Sequence, residues 1–178
     1  MLGLKSISTL ADALYHNTSL VTLDMHGCKV SDEAGALLGP SLDANAHLEV
    51  LNASWNDIRD GGGVAIAAGL ELGRLLQLDL SFNGLSDASA EAFGACLASN
   101  NALTSLDLSH NRIGGRGASV LAESLPSNGT LVALRLGFNP IGYVRGRGWA
   151  TDVPSLGCGF AGCGLVALTV AVSCCGWC

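Results

Sequence analysis

At 178 residues the chain is long enough to bury a core as one domain, and with aromatics at 5% and charged residues at 13% that core must be built from Leu, Ala and Val. A net charge of -6 with only nine Lys and Arg, scattered along the chain, argues against a phosphate-binding surface, so nucleic acid is not an expected partner. The charge also divides unevenly: beyond residue 141 only Arg145, Arg147 and Asp152 are charged.

The chain opens with MLGLKSISTLADALYHN, which lacks a basic segment and breaks its apolar run with Lys5 and Asp12, so it reads as a helix already in progress and not as a secretory signal. Cytoplasmic, reduced surroundings are the expectation that follows. From Leu20 onward five segments align: LVTLDMHGCKV, LEVLNASWNDI from Leu48, LLQLDLSFNGL from Leu75, LTSLDLSHNRI from Leu103 and LVALRLGFNPI from Leu131. Their starts are 27 or 28 residues apart. Each fits LxxLxLxxN/CxL/I, with Cys28 in the Asn slot of the first segment and Ala53 in a Leu slot of the second.

The residues between the segments repeat too. Leu14, Leu42, Leu70, Leu97 and Leu125 form one column, and Leu10, Leu38, Ile66, Phe93 and Leu121 a second. Gly35, Gly63, Ala90 and Ala118 form a third that requires small side chains, and the spacing i, i+3, i+7 puts all three on one helix face. Ser31-Asp32-Glu33 and Ser86-Asp87 are expected to cap the helices they precede. Asn17, Asn45, Asn100 and Asn128 fall where each helix must stop and turn. Each unit is therefore a strand, a turn, a helix and a return loop. One unit cannot bury its Leu face alone, so neighbours must cover each other. Asn56, Asn83, Asn111 and Asn139 suit the inside of the turn, where an amide can satisfy backbone groups leaving the strand. Cys28 has neither a CxxC nor a paired His beside it, so no metal site is read there.

This pattern resembles the leucine-rich repeats of the ribonuclease-inhibitor-like class, as in the repeat regions of NOD-like receptors and in Ran GTPase-activating proteins. The match covers residues 4–141. The resemblance implies an α/β solenoid, a right-handed β-α superhelix bent into a horseshoe arc, with a parallel inner sheet and outer helices. Residues 1–141 would form the repeat region, a partial first unit plus about five repeats, and 142–178 a divergent Gly- and Cys-rich apolar tail.

Side chains alternate along a strand, so those that avoid the core should line the concave face. Three columns follow: Asp24, Asn52, Asp79, Asp107 and Arg135; His26, Ser54, Ser81, Ser109 and Gly137; Gly27, Trp55, Phe82, His110 and Phe138. Aromatic residues beside a row of acids make an anchor set with a polar rim, which suits a protein surface bearing Lys or Arg. The candidate partner-binding residues are Asp24, His26, Asn52, Trp55, Asp79, Phe82, Asp107, His110, Arg135 and Phe138. The bland alternative is that LDLSxN is the usual spelling of the repeat and the Asp and Ser columns carry no partner information. No nucleophile with an orienting acid can be assigned beside His26 or His110, so no catalytic residue, metal or cofactor is expected. The expected function is a non-enzymatic protein-interaction module. The alternatives are a GTPase-activating protein of the Ran type and a sensor fragment of a NOD-like receptor.

After Ile141 the pattern fails. Gly146, Trp149 and Val153 hold the helix columns, but the next strand's positions fall on Gly159 and Gly162, and no charge occurs from Val153 to Cys178. Three readings compete: a membrane anchor with Arg145 and Arg147 on the cytosolic side, an apolar lid over the last repeat, or sequence that is not natural coding, since Val144-Arg145 fits an intron read through from GTG-AGG. Cys174, Cys175 and Cys178 would be palmitate acceptors only in the first. With no polar cap at the start, the chain is expected to be a fragment of a longer array or an incomplete gene model.

Overall fold

Leucines that recur every 27 or 28 residues can share one core only if the strands carrying them lie side by side, and the computed structural model, which describes residues 3–71, 73–141 and 169–171, has that arrangement. Strands β1 (Thr22–Asp24), β2 (Val50–Asn52), β3 (Gln77–Asp79), β4 (Ser105–Asp107), β5 (Ala133–Arg135) and β6 (Thr169–Ala171) form one sheet in chain order. Every pairing is parallel, and the register aligns Leu23, Leu51, Leu78, Leu106 and Leu134 in one row. A residue is thus placed beside its counterpart in the next coil, never one step off.

Helices α1 (Leu4–His16), α2 (Asp32–Ala36), α3 (Leu38–Ala44), α4 (Asp60–Gly69), α5 (Asp87–Leu97) and α6 (Gly115–Ser124) form the outer layer, in which the helices of successive coils pack on one another from α1 to α6. The first coil, which follows β1, has two helices because Pro40 lacks the N–H that would reach the carbonyl of Ala36 and its ring crowds that carbonyl. The helix backbones approach closely where the chain supplies glycine: a Cβ on Gly39 would strike the carbonyl of Ala65, and one on Gly69 the carbonyl of Gly39. The core between the layers is the Leu columns with Ile58, Ile66 and Phe93, the last three at 1% exposure or less. It thins at the first coil, where Leu23 is only half-buried while its counterparts are buried.

Polar groups of the turns are satisfied by neighbouring coils. In the described residues no buried side-chain nitrogen or oxygen lacks a partner. Asn111 is typical: its Nδ2 donates to the carbonyls of Leu80 at 2.9 Å, Leu108 at 3.1 Å and Ser109 at 3.1 Å, while its Oδ1 accepts from the N–H of Leu85. Asn56, Asn83 and Asn139 repeat the pattern against the coil before each. At the other end of the coils, Asn45 donates to Leu14, Asn100 to Leu70 and Asn128 to Leu97, and each Oδ1 accepts from the loop that follows it.

The helix starts correct one expectation. Ser31 does cap α2, accepting from the N–H of Ala34 at 3.3 Å, but Ser86 makes no such bond to its own helix. The N-terminus of α5 is instead capped by Asp60 of the preceding coil, whose carboxylate accepts from the N–H and hydroxyl of both Ser86 and Ser89. Asp32 does the same for Arg59 and Gly62, and Asp87 for Gly114 and Gly117. Acids in the first turn of one helix thus serve the orphan N–H groups of the next.

Beyond Ile141 the Leu pattern does not return, yet one further strand joins the sheet. The helix positions Gly146, Trp149 and Val153, the strand positions Gly159 and Gly162, and the cysteines of the tail lie outside the described residues, but β6 pairs with β5, Ala133 opposite Thr169 and Arg135 opposite Ala171. The physical reason is the open edge that β5 presents: unpaired N–H and C=O groups accept an extended, β-branched stretch such as Thr169-Val170 even without the Leu pattern. Among the described residues no helix is long and apolar enough to cross a membrane.

Two outcomes follow from the shared polar groups. Asn111→Ala strands the buried N–H of Leu85 and three carbonyls and is expected to cost about 3 kcal/mol, read as a lower denaturant midpoint, whereas Asn101→Ala in the exposed loop should stay within about 0.5 kcal/mol of the parent. For Asp60, burial opposes the charged form, but the hydroxyl and N–H bonds from Ser86 and Ser89 together hold the carboxyl below its usual value of 3.8. A lowered folded pKa means stability that is complete above 3.8 and lost as pH falls through the folded value. Asp60→Asn is expected to be less stable than the parent at neutral pH by about 1 kcal/mol, with the gap closing below pH 3.8 in thermal melts taken across that range.

Candidate partner-binding surface

Because the middle residue of each three-residue strand enters the core, the first and third face inward together. The third-position column is Asp24, Asn52, Asp79, Asp107 and Arg135, as the alternation predicts. The first-position column, Thr22, Val50, Gln77, Ser105 and Ala133, escaped the sequence reading. Its members share no chemistry, and the signal that would have found it is position alone, two residues before each member of the third-position column. Between the two columns lies a shallow depression of about 230 Å³, lined by Val50, Asn52, Gln77, Asp79, Asp107 and Arg135 among others.

The acidic column has a structural duty as well as an exposed face. In the first four coils one side-chain oxygen accepts the N–H two residues on: Asp24 from His26 at 2.9 Å, Asn52 from Ser54 at 3.0 Å, Asp79 from Ser81 at 2.8 Å and Asp107 from Ser109 at 2.9 Å. This local bond turns the chain out of the strand, which is why Asn serves as well as Asp. At the far end, Asp107 Oδ2 lies 3.9 Å from Arg135 Nη1, so that acid has an intramolecular cation.

The second column does not line the inner face. Ser54, Ser81 and Gly137 are buried and Ser109 is half-buried, because the turn folds them under the strand; the hydroxyls of Ser54 and Ser109 donate to Asn52 and Asp107. His26 alone of that column is exposed, its Nδ1 3.0 Å from Ser54 Oγ.

The third column is correctly read as a row but misplaced on the strands. Trp55, Phe82, His110 and Phe138 sit in the turns after them, with φ of 55°, 53°, 53° and 57°. This is the left-handed region, in which bulky L-residues are uncommon. The in-register stacking of the coils brings their rings face to face: Trp55 to Phe82 at 4.0 Å, Phe82 to His110 at 3.8 Å and His110 to Phe138 at 4.1 Å, all within 14° of parallel. Trp55 and Phe138 are 54% and 51% exposed, and the two rings between them are half-buried. The four rings form one continuous rim beside the acidic face.

Away from this surface little reactive chemistry is visible. Burial, with Glu71 adding to it, pushes the Cys96 thiol up to about 11, so it stays protonated and acts as a small apolar group. Among the described residues no group of His, Cys, Asp and Glu is placed to hold a metal ion.

The fold is similar to a solved structure described as leiomodin-1 actin-binding site 2, at a TM-score of 0.65 over 72% of this chain and 76% of that one, with 20% identity. No curated protein matches the sequence. A leucine-rich-repeat family model matches at residues 16–39, 44–67, 75–94 and 99–122, more than half of the chain in total. With the parallel sheet, the Leu rows and the inter-coil Asn bonds already in place, the conclusion is that this chain belongs to the leucine-rich repeat family.

Proposed function

We propose that the chain is a non-enzymatic protein-interaction module of the ribonuclease-inhibitor-like class, which takes a protein partner on its concave face. Trp55, Phe82 and Phe138 serve as apolar anchors, and Asp79 and Asp107 provide charge complementarity to Lys or Arg on the partner. The observation that carries this reading is the stacked row of rings at the rim of an acid-lined sheet. Rings already fixed by their neighbours lose little freedom on binding, so more of their contact energy reaches the complex. The unit length and the helical outer layer support the subclass.

A relative in fold is described as an actin-binding site, so actin is a defined protein with which to begin. The test measures co-sedimentation with actin filaments, and affinity capture of other partners, for the parent chain, Trp55→Ala and Asp79→Lys. Each substitution is expected to weaken a verified partner at least tenfold, about 1.4 kcal/mol. Unchanged capture by both variants removes this face from the reading. If the chain were instead a GTPase activator of the Ran type, it would accelerate GTP hydrolysis by a Ran-type GTPase; the binding reading expects no acceleration.

A further inference from the structure

The row of rings is one ring short. In coils two to five the turn residue after the strand is Trp55, Phe82, His110 or Phe138, and the N–H of each of the first three donates to a carbonyl of the following coil, in Ser81, Ser109 and Gly137. The first coil makes the same bond from Gly27 to Ser54, with a φ of 64°, yet carries no side chain there. A Cβ placed on Gly27 meets nothing within 4 Å. The outer face of Trp55 therefore lacks the ring that covers each later one. Its neighbour on that side is His26, tilted by 62° with its centroid 6.4 Å away, where the stacked pairs stand at 3.8 to 4.1 Å.

An acid stands beside this opening. Asp24 is exposed, at the end of β1 and three residues before Gly27, and its Oδ1 is held by the N–H of His26. Among the described residues it forms no ion pair, whereas Asp107 at the other end of the column has Arg135 from the next coil. That pair shows that a guanidinium one coil away reaches a carboxylate of this column. An indole face attracts cations, a flat face favours a flat group, and a carboxylate binds a forked donor in two places. Guanidinium meets all three conditions; ammonium is not planar, and a neutral ring gains nothing from Asp24.

We propose that the open face of Trp55 above Gly27 is a receptor for an arginine side chain of the partner, stacked on the indole and paired with Asp24. This rests on the inner face and its rim being the partner surface, and it names the group that the N-terminal end of that surface selects.

The test uses the full chain with Trp149→Phe and Trp177→Phe, so that Trp55 is the one indole, and follows its fluorescence during titration with N-acetyl-arginine amide and with its lysine and citrulline counterparts. The arginine compound is expected to give a saturable change with a Kd at least threefold below that of lysine, and citrulline, planar but uncharged, to be weaker again. Gly27→Phe supplies the missing ring at a backbone angle that Phe82 and Phe138 already adopt; it should raise the melting temperature and abolish the response. Asp24→Asn keeps the turn, as Asn52 does in the next coil, and should bring arginine down to the citrulline level. Citrulline binding as tightly as arginine, or an undiminished response in Gly27→Phe or Asp24→Asn, overturns the proposal. If the slot is silent while Asp79→Lys still releases a verified partner, the arginine receptor fails and the wider surface reading stands; if Asp79→Lys and Trp55→Ala both leave the partner bound, it is the surface reading that fails.

Discussion

No coil of this protein can satisfy its own backbone. The amide of each turn Asn spends its hydrogen bonds on two successive coils, and the first-turn acids Asp32, Asp60 and Asp87 cap helices that begin about one repeat later. A single unit removed from the stack would carry unpaired N–H and C=O groups as well as an uncovered Leu face, each buried group costing about 1–3 kcal/mol. That mutual dependence fixes the step between coils to one register. Shifting a strand by one residue would turn Leu51 or Leu78 out of the core and move every Asn away from its carbonyls.

The row of rings and the acidic column beside it are by-products of the same register. Parallel strands sit about 4.8 Å apart, and turns held at that step present their side chains in rows, with ring centroids 3.8–4.1 Å apart. Left-handed backbone costs a bulky residue about 1–2 kcal/mol, and an aromatic contact returns about 0.5–1.5 kcal/mol. An interior ring such as Phe82, with two stacked neighbours, therefore offsets its own strain. Among the described residues the end rings, Trp55 and Phe138, each have one stacked neighbour and are 54% and 51% exposed, so the ends of the row are where exposed apolar area collects.

Legibility in the sequence followed repetition. The Leu columns and the Asn column are spelled out in almost every unit, so their place and their structural role are legible in the sequence itself. Asp60 was not readable as a cap for α5, because it sits in the first turn of α4 and its partners Ser86 and Ser89 are a whole repeat away. Trp55, Phe82, His110 and Phe138 were readable as a row, but alternation was carried three residues past strands that are only three residues long, and it therefore put them on the sheet. A positive φ leaves a clear trace in sequence where glycine fills it, as at Gly27, and almost none where an aromatic does. The first-position column from Thr22 to Ala133 was silent because nothing but geometry unites its members.

The two ends of the sheet show what the register demands when the pattern lapses. At β5 the open edge is paired by β6, whose Val170 lies opposite Leu134 although the interval is longer than a repeat and the Leu signature is gone. Backbone hydrogen bonds are indifferent to side chains, so an edge can be closed by any extended segment that reaches it. Rings and Leu rows are not indifferent, since they need a side chain of the right kind at the right step. Where the first coil offers Gly27 for an aromatic and a half-buried Leu23 for a buried one, its backbone continues the solenoid while its side chains do not. A surface at which backbone order outlasts side-chain order presents a preformed frame with a missing piece, and in a repeat protein such a place is set by one residue without disturbing the stack.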